Sequence, residues 1–213
     1  MARTADPRRR AELLDQIIDY LAAHGLSALS LRPLAEHLGR STRVLTHHFA
    51  DKEELLSATL ERLDERHRAW LRALPGRDGS GSVGAIIRRT WEWQLREENL
   101  PIVRLVHEIE GLAAGGRLVG HVPRLRADRS ALVAAFLRER GVPEADALDI
   151  STLTSSTYTG LMSDYLITGD RERVETALDR LAILVDEWIA ACSGRPAERS
   201  LPGPGVTSAE AAG

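Results

Sequence analysis

Apolar residues recur at three- and four-residue spacing along nearly the whole chain, and nowhere do β-branched or aromatic residues alternate with polar ones over a useful length. That pattern predicts an all-α fold, and the glycines and prolines between the apolar stripes mark where each helix stops. A first helix is expected from about Asp6 to His24, with Leu13, Ile17, Tyr20 and Leu21 on one face and Gly25 as its left-handed terminator. A short second helix follows Ser30, its possible cap, with Pro33 in the first turn and Leu34, Ala35 and Leu38 inward before Gly39. Ser41 can cap a third short helix bearing Val44 and Leu45. Asp51, with Glu54 three residues on, then opens a long fourth helix that continues through Leu55, Leu56, Leu60, Leu63, Trp70, Leu71 and Leu74.

The run PGRDGSGSVG from Pro75 is a linker by composition. Beyond it the pattern predicts helices at about Val83–Arg96, Leu100–Ala114, Pro123–Arg140, Pro143–Thr168 and Arg171–Cys192, about nine in all. The stretch past Gly194 has too few apolar residues to order itself and is expected to be a disordered tail. Three regions result: 1–52 as a compact three-helix unit, 53–193 as a larger helical unit, and 194–213 as the tail.

Composition narrows the function. The 213 residues are 43% hydrophobic and 28% charged, with a formal net charge of -3. No stretch approaches the roughly 20 apolar residues of a membrane span, and MARTADPRRR has no signal-peptide core behind it, so a cytoplasmic protein without a membrane partner is expected. Cys192, the sole cysteine, can neither form an intrachain disulfide nor build a thiolate cluster for zinc or iron-sulfur. The overall negative charge hides an asymmetry. Up to Ala50, Arg3, Arg8, Arg9, Arg10, Arg32, Arg40 and Arg43 outnumber Asp6, Glu12, Asp15, Asp19 and Glu36, while the remainder is acidic. A positive front end fits contact with phosphate there.

The segment SLRPLAEHLGRSTRVLTHHFADKEELLSATL, from Ser30, carries the functional signal. Two short helices joined by a glycine-containing turn form a unit whose second helix can enter a DNA major groove, about 12 Å wide. With Val44, Leu45 and Phe49 packed inward against Leu34, Ala35 and Leu38, the residues left outside are Thr42, Arg43, Thr46 and His47. Arg43 can read a guanine edge with a bidentate pair or hold a phosphate.

This segment resembles the DNA-binding domain of the tetracycline-repressor (TetR) family. The family pattern is an apolar-Ala pair, a turn glycine followed by a serine, a His-x-Phe run and a Lys-Glu-Glu-Leu helix start. It is matched by Leu34 and Ala35, by Gly39 and Ser41, by His47 to Phe49, and by Lys52 to Leu55. Three positions depart from it: Arg43 replaces the usual glycine, Thr46 a tyrosine that commonly contacts phosphate, and Arg40 an apolar residue. The resemblance implies a helix-turn-helix domain followed by a helical ligand-binding and dimerisation domain. It also implies that Lys52 and the start of the fourth helix touch the DNA backbone, in line with the anion preference of helix N-termini. Ser30, Arg32, Ser41, Thr42, Arg43, Thr46, His47, His48 and Lys52 are the expected DNA-contacting set, with His48 equally able to support the turn. Arg8, Arg9 and Arg10 either reach phosphate from an N-terminal arm or are simply solvated.

In the larger region, Leu153, Leu161, Val174, Leu178, Leu181, Val185 and Trp188 form apolar stripes, and Gly160 marks a close helix approach. By resemblance the last two helices build a four-helix bundle with a second subunit, through Gly160, Leu161, Leu178, Leu181, Val185 and Trp188; the same stripes can also be intramolecular core. A two-fold dimer places two reading helices about 34 Å apart on a palindromic operator. A small-molecule effector site is expected between the helices starting near Val83, Leu100, Pro123 and Pro143. Trp91 and Trp93 cannot share a face. Trp91, His107, Glu110 and Tyr158, the last within a hydroxyl run from Ser151 to Thr159, are the candidate ligand contacts, and an apolar lining implies a hydrophobic or amphipathic effector.

No nucleophile, base and oxyanion or metal groups converge at recognisable spacing, and the glycines of GRDGSGSVG are followed by no Lys-Ser/Thr pair, so neither an enzyme, a metal site nor a cofactor is expected. The expected function is a ligand-responsive, dimeric DNA-binding regulator, most often a repressor. The alternative is a helical interaction module that no longer binds specific DNA.

Overall fold

The computed structural model describes residues 7–73, 81–116, 130–131 and 133–193, and every regular element among them is helical. The linker between Pro75 and Ser80, the first part of the helix expected from Pro123, Arg3 of the arm and the tail past Gly194 fall outside the described residues, as do the side chains of Trp70 and Leu71.

Helix α1 spans Pro7–His24, α2 Leu31–His37, α3 Thr42–His48 and α4 Lys52–Ala73. Then come α5 (Val83–Gln94), α6 (Leu100–Ala114), α7, described at 130–131 and 133–138, α8 (Glu144–Thr168) and α9 (Arg171–Ser193). Where they fall on described residues, the expected boundaries agree to within a residue or two. One element has no counterpart in the sequence pattern: a 3-10 turn at Leu26–Ala28 between α1 and α2. It follows Gly25, whose φ of 77° suits glycine, and Gly39 at 62° does the same for the α2–α3 turn.

The start of α4 shows how local sequence sets structure. Asp51 Oδ1 accepts from the Glu54 amide at 2.8 Å, and Glu54 Oε2 accepts from the Ala50 amide at 2.6 Å. This reciprocal capping satisfies two helix-start donors at once. Ser30 and Ser41 occupy the corresponding positions of α2 and α3, but their side chains make no capping bond. Those short helices are held by packing instead. Leu34 and Leu45 are fully buried, each stabilising by about 1.5–3 kcal/mol.

Two apolar cores result. The first joins α1–α4 and takes Leu105 and Ile109 from α6. The second joins α5, Val103 of α6, α7, α8 and α9. Between α5 and α9 runs a polar seam: the Gly84 amide donates to Asp186 Oδ1 (2.9 Å), Arg88 Nε to Asp179 (2.6 Å) and Trp91 Nε1 to Glu175 (3.1 Å). A Cβ on Gly84 would lie 2.5 Å from the Ala182 carbonyl oxygen, so glycine permits the closest helix approach here. Gly160 does not have that role within the chain. It is exposed, and a Cβ there would meet nothing within 4 Å.

Candidate functional site

The outward face of α3 is the first site. Leu45 and Phe49 are buried and Val44 half-buried, which leaves Thr42, Arg43, Thr46 and His47 exposed together. Ser30, Arg32, Ser41 and Lys52 are exposed around them, although Arg32 is engaged with Glu36 at 3.2 Å. His48 is half-buried, and its ring lies 5.4 Å from that of His47. Burial, aided by the positive charge of His47, Arg10 and Arg40, lowers its pKa below the usual histidine value. Arg10 itself stacks over Phe49 at 5.4 Å, which ties the arm end of α1 to this face.

At the start of α4 the protein's own carboxylates already take the Glu54 amide, through Asp51, and the preceding Ala50 amide, through Glu54, and Glu53 adds a third negative charge. A phosphate contact there therefore rests on the Lys52 ammonium more than on the helix end.

The second site is a cavity of about 380 Å³ enclosed by α4, α5, α6, α7 and α8. Its α5 wall is Val83, Ile86, Ile87, Thr90, Trp93 and Gln94, whereas the seam with α9 is made by Gly84, Arg88 and Trp91. That settles the tryptophan pair. Trp91 belongs with Gly84 and Arg88 on the seam and is buried edge-on against Tyr158 and Tyr165, at 5.8 and 6.0 Å. Trp93, not Trp91, lines the cavity.

His107, Glu110 and Tyr158 do line it. Tyr158 donates to Gln94 Oε1 at 2.7 Å, and burial pushes its phenol well above the usual tyrosine range, so it stays a donor. His107 Nδ1 lies 2.9 Å from the Val103 carbonyl. Sequence reasoning missed the contribution of α4, where Asp64, almost wholly buried, pairs with Arg68 in the cavity wall. The signal for it is weak: Asp64 and Arg68 have the ordinary four-residue spacing of a surface pair. Within the hydroxyl run, Thr154 also lines the cavity, whereas Ser151 donates to the Ser130 carbonyl at 2.7 Å.

The first core, beneath α3, and the cavity share two helices. On α4, Leu55, Leu56 and Leu60 serve the first core, while Leu63, Asp64 and His67 serve the cavity. On α6, Leu105 and Ile109 serve the core, while Val106, His107 and Glu110 serve the cavity.

Of the expected interface residues, Leu178, Leu181 and Val185 are buried in the chain's own second core, and Leu161 and Trp188 pack against it. The apolar residues left exposed are others: Leu148, Leu153 and Ile167 on α8, and Ile183 and Leu184 on α9. Leu153, Gly160 and Ile167 recur every seven residues and so share one face of α8.

Two short helices with an exposed second face, joined to a helical unit enclosing a cavity, define a helix-turn-helix protein. Residues 13–59 match the family model of bacterial regulatory proteins of the tetR family. The chain is 32% identical over 85 residues to the HTH-type transcriptional regulator BetI of Klebsiella pneumoniae, covering 38% of this chain and 44% of that one. With BetI of Burkholderia thailandensis the identity is 35% over 68 residues, 29% of this chain and 35% of that one. The chain thus spans less than half the length of these curated relatives.

The fold is that of a crystal structure of a transcriptional regulator from Rhodococcus sp. Rha1, with a TM-score of 0.68 at 21% identity over 90% of this chain and 100% of that one. The multidrug binding protein EbrR, complexed with imidazole, matches at 27% identity and a TM-score of 0.62, over 85% of this chain and 93% of that one. Over residues 13–59 the chain is thus similar to the tetR family of bacterial regulatory proteins. Among the described residues, no helix is long and apolar enough to cross a membrane.

Proposed function

We propose that the protein is a cytoplasmic transcriptional regulator. Two copies read a palindromic operator with α3, and a small apolar or amphipathic molecule in the cavity alters the grip. The observation that carries this reading is the outward face of α3, where Arg43 joins Thr42, Thr46 and His47 in the open while Leu45 anchors the helix from beneath. Arg43 supplies the bidentate donor that a guanine edge requires. The regulators of known structure with this fold support it, and EbrR, a multidrug binding protein, supports a ligand in the helical half.

The helices shared between the cavity and the first core supply the physical link. A ligand that favours one placement of α4 and α6 shifts the spacing of the two reading heads by its differential affinity for the two states. Repression by occupying a promoter is the simplest outcome. The second copy packs on the exposed face containing Leu153, Gly160, Ile167, Ile183 and Leu184, since an apolar patch of this kind calls for a partner.

The test is selection of bound duplexes from a random pool at near-physiological salt, repeated with Arg43→Ala. One enriched palindrome, relaxed in the variant, is the expected result. No enrichment, or binding that only fades with salt, overturns specific recognition and leaves an interaction module.

A further inference from the structure

Several polar groups of the cavity wall are matched within the protein. Tyr158 is bonded to Gln94, Asn99 Nδ2 donates to the Trp93 carbonyl at 2.7 Å, and Asp64 pairs with Arg68. The charged lining residues Asp64 and Glu110 balance Arg66 and Arg68 in formal charge, so the wall favours a neutral guest over an ion.

Two atoms break this pattern. His107 Nε2 and Thr154 Oγ1 are both shut off from solvent, and neither has a partner among the described residues. The bonding at the other ring nitrogen fixes what His107 offers. A carbonyl only accepts, so Nδ1 carries the hydrogen that it gives to Val103, and in the neutral ring Nε2 is a bare acceptor. Thr154 can donate or accept. Aromatic and aliphatic side chains, among them Trp93, Phe136 and Met162, make up much of the remaining wall.

We propose that the cavity selects an uncharged, largely aromatic or apolar molecule carrying one O–H or N–H group, which donates to His107 Nε2 beside the Thr154 hydroxyl. The inference rests on the cavity being the effector site and adds the chemistry that site takes. Both residues line the cavity, and binding in this way requires each side chain to turn its polar atom toward the guest. Because both atoms are already stripped of water, the new bond carries no desolvation cost on the protein side.

The experiment uses a matched pair, 2-naphthol and 2-methoxynaphthalene, which differ in the hydrogen that can be donated. Their affinities for the full chain, His107→Phe and Thr154→Val are measured by calorimetry at neutral pH, with thermal melts of each protein alone. Naphthol is expected to bind about tenfold or more tightly than its methyl ether, the scale of one hydrogen bond to a buried group. In His107→Phe that ratio falls to about one. Thr154→Val is expected to melt higher than the parent without ligand, because an unpartnered buried hydroxyl has become a methyl.

Equal affinity for the two compounds, binding of neither, or an unchanged ratio in His107→Phe overturns the proposal. A lower melting temperature for Thr154→Val also counts against it, since the hydroxyl would then be satisfied by water. All readings are taken without DNA, so failure here is separate from failure of the duplex selection.

Discussion

The backbone amide of Leu26, in the turn after α1, donates to Glu108 Oε2 on α6 at 2.8 Å, across 82 positions of sequence. Glu108 sits between His107, which lines the cavity, and Ile109, which is buried in the first core. Replacing Glu108 with alanine leaves the Leu26 amide without its partner, at a cost of about 1 kcal/mol. A fall in Tm of roughly 2–4 °C follows for a chain of this size. Glu108→Gln keeps an acceptor oxygen and should recover most of that loss. Thermal melts of the three proteins check this.

Gly84→Ala should be far more damaging than an ordinary Gly→Ala change within a helix. The added methyl would meet the Ala182 carbonyl oxygen at 2.5 Å and the Asp186 carboxylate at 2.6 Å, and the first of these is backbone that cannot swing away. The expected cost is about 1–3 kcal/mol. Gly160→Ala meets nothing in the chain and should leave the melting of a single copy intact or slightly raised.

Lys52 and Arg43 should separate in their effects on DNA. Lys52→Ala is expected to weaken binding to all duplexes alike and to make the salt slope shallower by about one, the share of a single neutralised phosphate. Arg43→Ala is expected to relax preference at one base pair, costing about 1–3 kcal/mol against the preferred base. Titration of matched operator variants at several salt concentrations distinguishes the two. A uniform loss for Arg43→Ala would assign it to phosphate.

His48 makes folding sensitive to pH. Its pKa is lowered in the folded protein, so the unfolded chain takes up the proton first as acidity rises. Its contribution is therefore complete above about pH 6.5 and is lost as pH falls below that value. The drop in Tm between pH 7.5 and pH 5.5 should be smaller in His48→Gln than in the parent.

Much of this architecture is legible in the sequence because its punctuation is local. Gly25, Gly39 and Gly169 all take positive φ, and the Asp51–Glu54 pair closes its cap within four residues. What periodicity cannot supply is the identity of the partner across each face. Helical spacing alone sends Trp91 and Trp93 in different directions, but only the seam with α9 decides which one meets the cavity. Leu178, Leu181 and Val185 likewise read as a stripe, and it takes the packing of α5 and α8 along α9 to turn that stripe inward and leave Ile183 and Leu184 outside. The outward side of α3 is easier to read, since one buried leucine in a seven-residue helix fixes what remains outside.

The seam from Gly84 to Trp91 also gives the cavity a mechanical polarity. Three side-chain bonds and a close helix crossing anchor the α5 wall to α9, whereas the α4 and α6 walls belong equally to the front core. If the cavity is the effector site proposed above, a guest too large for the space would meet an anvil on one side and a lever on the other. Its bulk would then be expressed as displacement toward the first fifty residues, making the girth of a guest, apart from its polarity, a second quantity for the protein to measure.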